Sequence, residues 1–427
     1  MILDHLLSRA AIKLIAADLL VLTITFAGPR DGPRPVIDSR QGDGGVSAFY
    51  VWDEEVPGVP GRVLRQEPLP DSLALSNAAG GVRILYTSTN GLDGKTPVAV
   101  SGAVYFPKGS TPTGGWPVVA WAHGFVGIAD VCAPSSKPRS KRDIDYLNRW
   151  LFEGFAIVAT DYQGLGTPGG HPWGVPKMEA YGVIDSVRAA RRAFRQLSDT
   201  VVLVGQSQGA RAVLSASSLA PTYAPDLAFK ATVATGVPGG APYAPETKAP
   251  QAAVPKRSGG EVNARLAVYG LFRLLALDRK FNPFEYISDG AKPSFEAALT
   301  GCIAEVDELN SKNHITVENT FKDFPQAATR SAAQYQVYPR PRFARPVFIG
   351  TGLADASAYP EGQYNMAVAA CYEGSVVETH YYPGLDHGGT VNASLVDSVP
   401  FVKKALAGQP LRGNCATLKP PKSAILP

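Results

Sequence analysis

The chain has 427 residues, of which 45% are hydrophobic and 18% charged, a composition typical of a soluble globular enzyme. Its formal net charge of +4 is too small and too scattered to indicate a nucleic-acid-binding protein. The length favours one large domain that carries an insertion. A cluster of basic residues at helical spacing predicts the solvated face of a helix: Arg188, Arg191, Arg192 and Arg195.

The N-terminus has the pattern of a signal peptide. Arg9 and Lys13 precede an apolar stretch, Leu19–Phe26, which is followed by small residues. This order is typical of a secretory leader, and the stretch is short for a membrane span. We predict that residues 1–27 are a signal peptide and that the protein is secreted, extracellular or periplasmic. A plain N-terminal helix or an uncleaved membrane anchor is the alternative. Residues 28–47, rich in Pro, Gly and Asp, are predicted to be a loose linker.

Short apolar runs separated by turn residues predict the strands of a sheet. Two early strands, Arg83–Thr87 and Val98–Tyr105, flank a turn cluster. The later runs are almost wholly apolar, which is typical of strands that helices cover on both faces. Helices fit between them at Met178–Leu197 and Ala210–Leu219, so the chain alternates as in an α/β fold. The apolar runs are Pro117–Trp121, Ala156–Thr160, Val201–Val204, Ala231–Ala234 and Pro346–Gly350.

The alternation of strands and helices breaks between residues 239 and 340. This stretch begins with Pro, Gly and Ala and contains an apolar helix candidate, Leu266–Leu277. Because it lies between two predicted sheet strands, it is interpreted as an inserted, mainly helical cap or lid. The predicted core then consists of residues 48–238 and 341–427.

Four cysteines stand far apart in the chain, and none forms a C-x-x-C pair, so a zinc site is not indicated: Cys132, Cys302, Cys371 and Cys415. An even number of cysteines in an exported chain favours two disulfides. The residues alone leave three pairings open. Four buried free thiols in a cytosolic protein would be the alternative interpretation.

The motif Gly205-Gln206-Ser207-Gln208-Gly209 lies between a predicted strand and a predicted helix. A G-x-S-x-G string in this context is the nucleophile elbow of the α/β-hydrolase fold, in which the sharp turn requires small neighbours. The N-terminus of the following helix favours developing negative charge. We therefore predict that Ser207 is a nucleophile and that a mostly parallel central sheet is flanked by helices. An ordinary Gly/Ser turn is the alternative.

The serine needs a base, and in this fold a histidine follows the nucleophile along the chain. Three histidines lie downstream of Ser207. His314 falls in the predicted cap, and His380 lies inside the last predicted strand, Val376–Tyr382. His387 lies on the Gly-rich loop after that strand, where catalytic histidines of this fold occur, so we predict His387.

A carboxylate should orient this histidine and stabilise its imidazolium. Asp355 follows the predicted strand Pro346–Gly350, which is the expected place for the acid. Asp386 is the immediate neighbour of His387, and neighbouring side chains on a loop rarely orient one another. We therefore predict Asp355, with Asp386 as the weaker candidate.

An oxyanion hole needs two backbone N–H groups. The first should come from Gln208, directly after the nucleophile. The second should follow the strand that ends near Trp121, where the sequence reads His123-Gly124-Phe125-Val126-Gly127. Phe125 is the first choice and Gly127 the second, and His123 is predicted to orient the turn instead of acting as a base.

Longer segments around these sites resemble the secretory lipase family of the Candida antarctica lipase A type, within the α/β hydrolases. One segment runs from His123 through Cys132-Ala133-Pro134-Ser135, and a second is Asp161–Gly169 followed by His171-Pro172. N-terminal matches include Phe49-Tyr50, Pro60–Arg65 and Arg83–Tyr86, and the order of Ser207, Asp355 and His387 also fits. The resemblance covers about residue 48 to the C-terminus.

The resemblance implies a cap domain and the disulfides Cys132–Cys302 and Cys371–Cys415. It also implies hydrolysis of triacylglycerols and other carboxylic esters, possible contact with an oil–water interface, and no metal or organic cofactor. No stable protein partner is implied. The expected function is thus a secreted lipase or esterase that works through an acyl-enzyme. The alternatives are a polyester or aryl-ester esterase, an acyltransferase with the same residues, or a non-catalytic binding protein on a hydrolase scaffold.

Overall fold

A computed structural model describes residues 36–239, 242–244, 246, 248–254 and 261–422. The predicted signal peptide and the first part of the predicted linker lie outside the described residues. The strands of the described part are β1 Val63–Pro68, β2 Ala78–Thr89, β3 Pro97–Pro107, β4 Trp116–Ala122, β5 Ala156–Thr160, β6 Leu197–Gln206, β7 Phe229–Thr235, β8 Tyr243–Ala244, β9 Tyr338–Pro339, β10 Val347–Gly352 and β11 Val377–Tyr382. The α-helices are α1 Lys141–Phe152, α2 Pro176–Ala193, α3 Gln208–Tyr223, α4 Glu261–Leu277, α5 Lys292–Ala297, α6 Ile303–Lys312, α7 Val317–Thr320, α8 Gln326–Ala332, α9 Pro360–Tyr372, α10 Gly389–Ala393 and α11 Leu395–Leu406.

Nine of these strands form one sheet in the order β1-β2-β3-β5-β4-β6-β7-β10-β11. The strands from β5 to β11 in this order pair in parallel, and β1, β2 and β3 join them as an antiparallel edge. The predicted α/β class with a mostly parallel sheet is therefore confirmed.

Helices cover both faces of this sheet, which explains its continuous apolar strands. In β4, Val118 and Ala120 point into one apolar cluster with α2, α3 and α9. Their neighbours Val119 and Trp121 point into the opposite cluster, with α1 and α11. Because successive strand residues face opposite sides, every position of a doubly covered strand must be apolar.

Helix α2 differs from its prediction at the C-terminal end and on one face. The predicted helix ran to Leu197, but Phe194 has an extended backbone and Leu197 begins β6. Arg188, predicted to be solvated, is only 9% exposed and forms ion pairs with Asp185 and Asp226. The helix is covered on that side because α3 packs along it.

The described end of the predicted linker is packed instead of loose. Gln41 is buried, and the carbonyl of Gly42 accepts a hydrogen bond from the backbone N–H of Asp130 at 2.9 Å. The carboxylate of Asp130 in turn accepts the N–H of Gly44 at 2.8 Å, and Asp43 accepts the N–H groups of Gly169 and Gly170. Gly and Asp therefore mark tight turns against the core in residues 36–47.

The buried carboxyl of Asp130 makes this contact depend on pH. Burial, assisted by the charge of Asp43, raises the pKa of Asp130 to about 7. Its second oxygen, Oδ1, has no hydrogen-bond partner among the described residues. The folded protein thus keeps a proton that the unfolded chain releases near pH 3.9. The contribution of Asp130 to the free energy of unfolding is therefore fully present below about pH 4 and is lost as the pH rises to about 7.

Replacing Asp130 by asparagine should raise the melting temperature at about pH 8 and leave it nearly unchanged at about pH 4. Asparagine can still accept the N–H of Gly44 but has no charge to bury, so the gain should be about 2–4 kcal/mol. Scanning calorimetry at both pH values checks this, with the exposed Asp199→Asn variant as the control. An equal gain at both pH values would contradict the explanation.

A helical insertion separates β7 from β10, where the sequence predicts the cap. Helices α4 to α8 enclose an apolar cluster of their own, which includes Phe272, Leu275 and Phe295 and also contacts Trp173 of the core. The short strands β8 and β9 pair in parallel, with Tyr243 opposite Tyr338, and so bring the two ends of the insertion together. The predicted helix Leu266–Leu277 corresponds to α4.

Two disulfides are present, and they are the pairs that the resemblance implies. Cys132–Cys302 joins the segment after β4 to the start of α6 in the insertion. Cys371–Cys415 joins α9 to the C-terminal segment across a sequence separation of 44 residues. In the chain-entropy description, closing a loop of this length stabilises the folded protein by roughly 4 kcal/mol.

No helix within the described ranges has the length and apolar character needed to span a bilayer.

Candidate active site

Ser207 lies at the sharp junction between β6 and α3. Its backbone has φ 57° and ψ −118°, a conformation that non-glycine residues rarely adopt. The junction is tight, since a Cβ on Gly205 would lie 2.2 Å from the carbonyl oxygen of Gly209. A Cβ on Gly209 would lie 1.8 Å from the carbonyl oxygen of Ala122. This geometry explains both glycines of the motif and holds the serine in the backbone conformation expected of an elbow.

Asp355 and His387 lie together at the ends of neighbouring parallel strands. Asp355 follows β10 and His387 follows β11, and Oδ2 of Asp355 is 2.8 Å from Nδ1 of His387. Because a carboxylate can only accept, Nδ1 carries the proton and Nε2 is left free to act as a base. Asp386, the weaker candidate, instead accepts the backbone N–H groups of Gly388 and Gly389 and stays exposed.

The Asp355 carboxylate is fixed from several directions. Its Oδ1 accepts the backbone N–H groups of Ser357 and Ala358 at 2.9 and 2.7 Å. Its Oδ2 also accepts the side-chain amide of Gln363 at 3.1 Å. Gln363 is fully buried and is itself held by Thr351 and by the N–H of Val237. Gln363 was not predicted from the sequence, because it lies in no motif that could have revealed it.

Ser207 and His387 line the same cavity, which has a volume of about 830 Å³. Core residues such as Gly124 and Gln208 form one wall, and Leu266 and Ile303 of the insertion form another. Among the described residues no hydrogen bond joins the Ser207 hydroxyl to His387. Such bonds are often long in free enzymes and shorten when substrate binds.

The three predicted oxyanion residues are placed differently. Gln208 is the first residue of α3, so its backbone N–H has no partner within the helix, and it lines the cavity. Phe125 also lines the cavity. Gly127 is not among the residues that line the cavity. It lies against the disulfide, since a Cβ placed on it would be 3.2 Å from Sγ of Cys132. The choice between Phe125 and Gly127 stays a prediction.

Three further histidines, His123, His380 and His314, lie outside this arrangement. His123 is buried with Nδ1 2.7 Å from the carbonyl of Gly124, and burial lowers its pKa to about 3. It is therefore neutral at physiological pH and packs against Tyr162, as expected for a turn-orienting residue. His380 pairs with Glu378 and stacks on Phe348. His314 lies in the insertion, between α6 and α7.

A further buried histidine, which lies in one of the segments that carry the resemblance and was given no role from the sequence, contacts the elbow directly. Nε2 of His171 lies 2.9 Å from the side-chain amide nitrogen of Gln208, and its Nδ1 lies 2.8 Å from the carbonyl of Gln163. Burial lowers the pKa of His171. The imidazole is thus a neutral acceptor for Gln208 and fixes the residue that follows Ser207. The segment Asp161–Gly169 and His171 are therefore linked to the elbow through the contact between His171 and Gln208.

Gly236, directly after β7, offers a test of the His387 position. Its φ is +61°, and a Cβ there would lie 2.8 Å from Cε1 and 2.9 Å from Nδ1 of His387. Gly236→Ala should therefore displace the imidazole and lower kcat on p-nitrophenyl butyrate by about 100-fold. Gly374→Ala is the matched control, because Gly374 has φ +81° with no atom within 4 Å of a Cβ. Equal effects of both substitutions on kcat would show that backbone strain alone is responsible.

The sheet order, the strained serine between β6 and α3, and the Asp–His pair after β10 and β11 define a protein of the α/β-hydrolase fold. The model of the secretory lipase family matches residues 138–323. This match confirms the resemblance to that family over the segment that contains the elbow and most of the insertion.

Known proteins with related sequences include two lipases. Lipase 7 of Candida albicans is 34% identical over 88 residues, which are 20% of this chain and 20% of that protein. Lipase A of Moesziomyces aphidis is 23% identical over 393 residues, covering 86% of this chain and 80% of that protein.

Solved structures of the same fold include a lipase and an esterase. Candida antarctica lipase A in its closed state has a TM-score of 0.65 and 20% identity, with 88% of this chain and 89% of that chain covered. The rice cell wall degrading esterase LipA of Xanthomonas oryzae has a TM-score of 0.60 and 17% identity, with 82% and 100% covered. Together with the family match, these findings support a hydrolase of the lipase or esterase kind.

Proposed function

We propose that the protein is a serine carboxylic ester hydrolase in which Ser207 is the nucleophile, His387 the base and Asp355 the orienting acid. One observation carries this proposal. Ser207 has a strained backbone at the N-terminus of α3, and it lines the same cavity as His387, which is hydrogen-bonded to the buried carboxylate of Asp355. These are the parts that ester hydrolysis through an acyl-enzyme requires.

The reaction proceeds in two halves. His387 Nε2 takes the hydroxyl proton of Ser207 as its oxygen attacks the ester carbonyl, and the same nitrogen then gives that proton to the departing alcohol. An acyl-enzyme remains on Ser207. Water, deprotonated by His387, next attacks this ester, the carboxylic acid leaves, and the proton returns to Ser207. Asp355 stays ionised throughout and stabilises the imidazolium.

The negative charge of each tetrahedral intermediate needs hydrogen-bond donors. We assign these to the backbone N–H groups of Gln208 and Phe125. Gln208 is supported by its place at the N-terminus of α3, where free N–H groups and the helix dipole favour an anion. Phe125 is supported by its place in the cavity wall, where its ring packs at a tilt against Trp173 and edge-on against Tyr269.

We further propose that the insertion at 239–340 is the cap of this site and that the protein is exported. The cap is supported by Leu266 and Ile303, which form part of the cavity wall. Export is supported by the leader pattern of residues 1–27 and by the two disulfides, which persist in oxidising compartments. The substrates are lipid or small-molecule esters, as the names of the related lipases and the esterase suggest.

An acyl-chain profile on purified protein tests this function. We expect p-nitrophenyl esters to be hydrolysed in the absence of any added metal or cofactor, and preincubation with a fluorophosphonate to abolish the activity. Comparing soluble esters with emulsified tributyrin and triolein distinguishes an esterase from a lipase. A folded protein that hydrolyses none of these esters would refute the proposal and favour a binding role.

A further inference from the structure

The charges along the wall of the active-site cavity do not balance. Six basic side chains line it: Lys137, Arg139, Arg142, Arg211, Arg265 and Arg273. Four of them are paired, Lys137 with Glu305, Arg142 with Asp143, Arg211 with Glu179 and Arg265 with Asp307. Within the part of the chain that the structure describes, Arg139 and Arg273 form no ion pair.

Arg139 does not offer its charge to the cavity. All three nitrogens of its guanidinium are buried, so no ligand can reach them in this conformation. The group lies close enough to His123 and Asp161 to influence their titration. Asp161 is itself held by the hydroxyls of Ser101 and Ser135. Arg139 therefore belongs to the buried network behind the oxyanion turn.

Arg273 is held at the cavity by its surroundings but has no partner for its charge. It lies on α4 of the insertion, with its guanidinium carbon 4.7 Å from the ring centre of Trp173. Its Nε is buried without a hydrogen-bond partner among the described residues. Burial, followed by the charge of Arg211, lowers the pKa of Arg273 to about 10, so the side chain remains positive at neutral pH.

Two guanidinium groups and a single carboxylate meet at Gly174. A Cβ on Gly174 would lie 3.4 Å from Nη1 of Arg273 and 3.7 Å from Nη2 of Arg211. Arg211 is paired with Glu179 through two hydrogen bonds of 2.7 and 2.8 Å, and Glu179 also accepts the N–H of Gly174. The cluster of Glu179, Arg211 and Arg273 therefore carries one excess positive charge.

This excess charge and the nucleophile share one cavity, because Arg273 and Ser207 both line it. Arg211, which meets Arg273 at Gly174, is one helical turn after Ser207, and its backbone N–H donates to the carbonyl of Ser207 at 3.1 Å. A buried cation without a partner destabilises a folded protein, and such groups are found where a ligand supplies the missing charge. The cavity that contains Ser207 is the space from which such a ligand can approach Arg273.

We propose that this cavity selects esters that carry one carboxylate, and that Arg273 binds this carboxylate while the ester lies at Ser207. The inference rests on the proposed ester hydrolysis and narrows its substrate class. One excess positive charge matches a monoanion, and the planar guanidinium can donate two parallel hydrogen bonds to a carboxylate. Arg273 is thus a specificity residue contributed by the insertion.

The test compares pairs of benzyl esters that differ only by a carboxylate in place of a methyl group. Monobenzyl glutarate against benzyl valerate places the charge on the acyl part. 4-(Butanoyloxymethyl)benzoate against 4-methylbenzyl butyrate places it on the alcohol part. The readout is the ratio of kcat/KM, charged over neutral, from release of the aryl alcohol at low ionic strength. Because the intrinsic reactivity of each ester is the same for every variant, a change in the ratio reports recognition.

For at least one pair, Arg273→Met should lower this ratio by about tenfold or more relative to the wild type. Arg273→Lys should retain more of the preference than Arg273→Met, because lysine keeps the charge although it is shorter and cannot donate two parallel hydrogen bonds. The control is Arg330→Met, an exposed arginine on α8 of the same insertion, which should leave the ratio unchanged. High salt should reduce the wild-type ratio in the same direction as Arg273→Met.

A second measurement needs no variant. Glutaramate, which carries one carboxylate, should inhibit the Ser207-dependent hydrolysis of these esters by the wild type competitively, whereas neutral glutaramide at the same concentration should not. The inference is overturned if Arg273→Met keeps the wild-type ratio for both ester pairs, or if glutaramate and glutaramide behave alike. If the wild type hydrolyses none of the four esters in a Ser207-dependent manner, the proposed function itself fails, which is a separate outcome.

Discussion

Replacing Ser207 by alanine should lower kcat for p-nitrophenyl butyrate by about 10⁶, the scale seen when such a nucleophile is removed. The loss is large because His387 and Asp355 act only through the serine oxygen, so their contribution disappears with it. The strained backbone at φ 57° is imposed by the turn and not by the hydroxyl, so the variant should fold. Steady-state kinetics and a circular dichroism spectrum check both statements.

Ser215→Ala is the matched control for this substitution. Ser215 lies on the same helix α3, is fully buried, and its hydroxyl has no partner among the described residues. Removing that hydroxyl should leave kcat close to the wild-type value. If Ser207→Ala retained wild-type activity, or if both variants lost activity equally, Ser207 would not be the nucleophile.

Asp355→Asn should lower kcat by about 10⁴ while preserving the fold. The asparagine can keep the contacts that Oδ1 makes with the backbone of Ser357 and Ala358. It cannot hold the Nδ1 proton of His387 in the same way, because an amide nitrogen facing Nδ1 donates instead of accepting. His387 would then present a protonated Nε2 to Ser207, which is the wrong tautomer for a base, and its imidazolium would lose its counter-charge.

The variant Asp386→Asn tests whether Asp355 or Asp386 is the acid that orients His387. The Asp386 carboxylate accepts two backbone N–H groups, a role that an asparagine oxygen can also fill. This variant should therefore keep kcat within about threefold of the wild type, a difference below 1 kcal/mol. Similar losses for Asp355→Asn and Asp386→Asn would contradict the assignment of Asp355 as the orienting acid.

Elements whose signal is local could be predicted from the sequence. Strand β5 was predicted with the observed bounds, because five consecutive apolar or small residues are required where both faces are covered. The elbow was found because its motif is short and contiguous, and a Cβ on Gly205 would meet the backbone of Gly209 within the same motif. The order of serine, acid and histidine follows from the order of β6, β10 and β11.

Features that depend on contacts between distant segments could not be predicted. Arg188 looked solvated because nothing in its own helix reveals Asp226, which approaches from the end of α3. The linker looked loose because its partner, Asp130, lies more than eighty residues away. Gln363 and Arg273 acquire their roles only when α9 and α4 are placed against the site. A charged side chain has no periodic signature that tells whether its partner is water, an acid or a substrate.

Covalent labelling tests the central claim most directly. The purified protein would be treated with a fluorophosphonate, digested, and analysed by tandem mass spectrometry. We expect a single modified serine, Ser207, with labelling lost in Ser207→Ala, slowed strongly in Asp355→Asn and unchanged in Ser215→Ala. A folded, ester-hydrolysing protein that is labelled at another residue, or that is not labelled at all, would contradict the account.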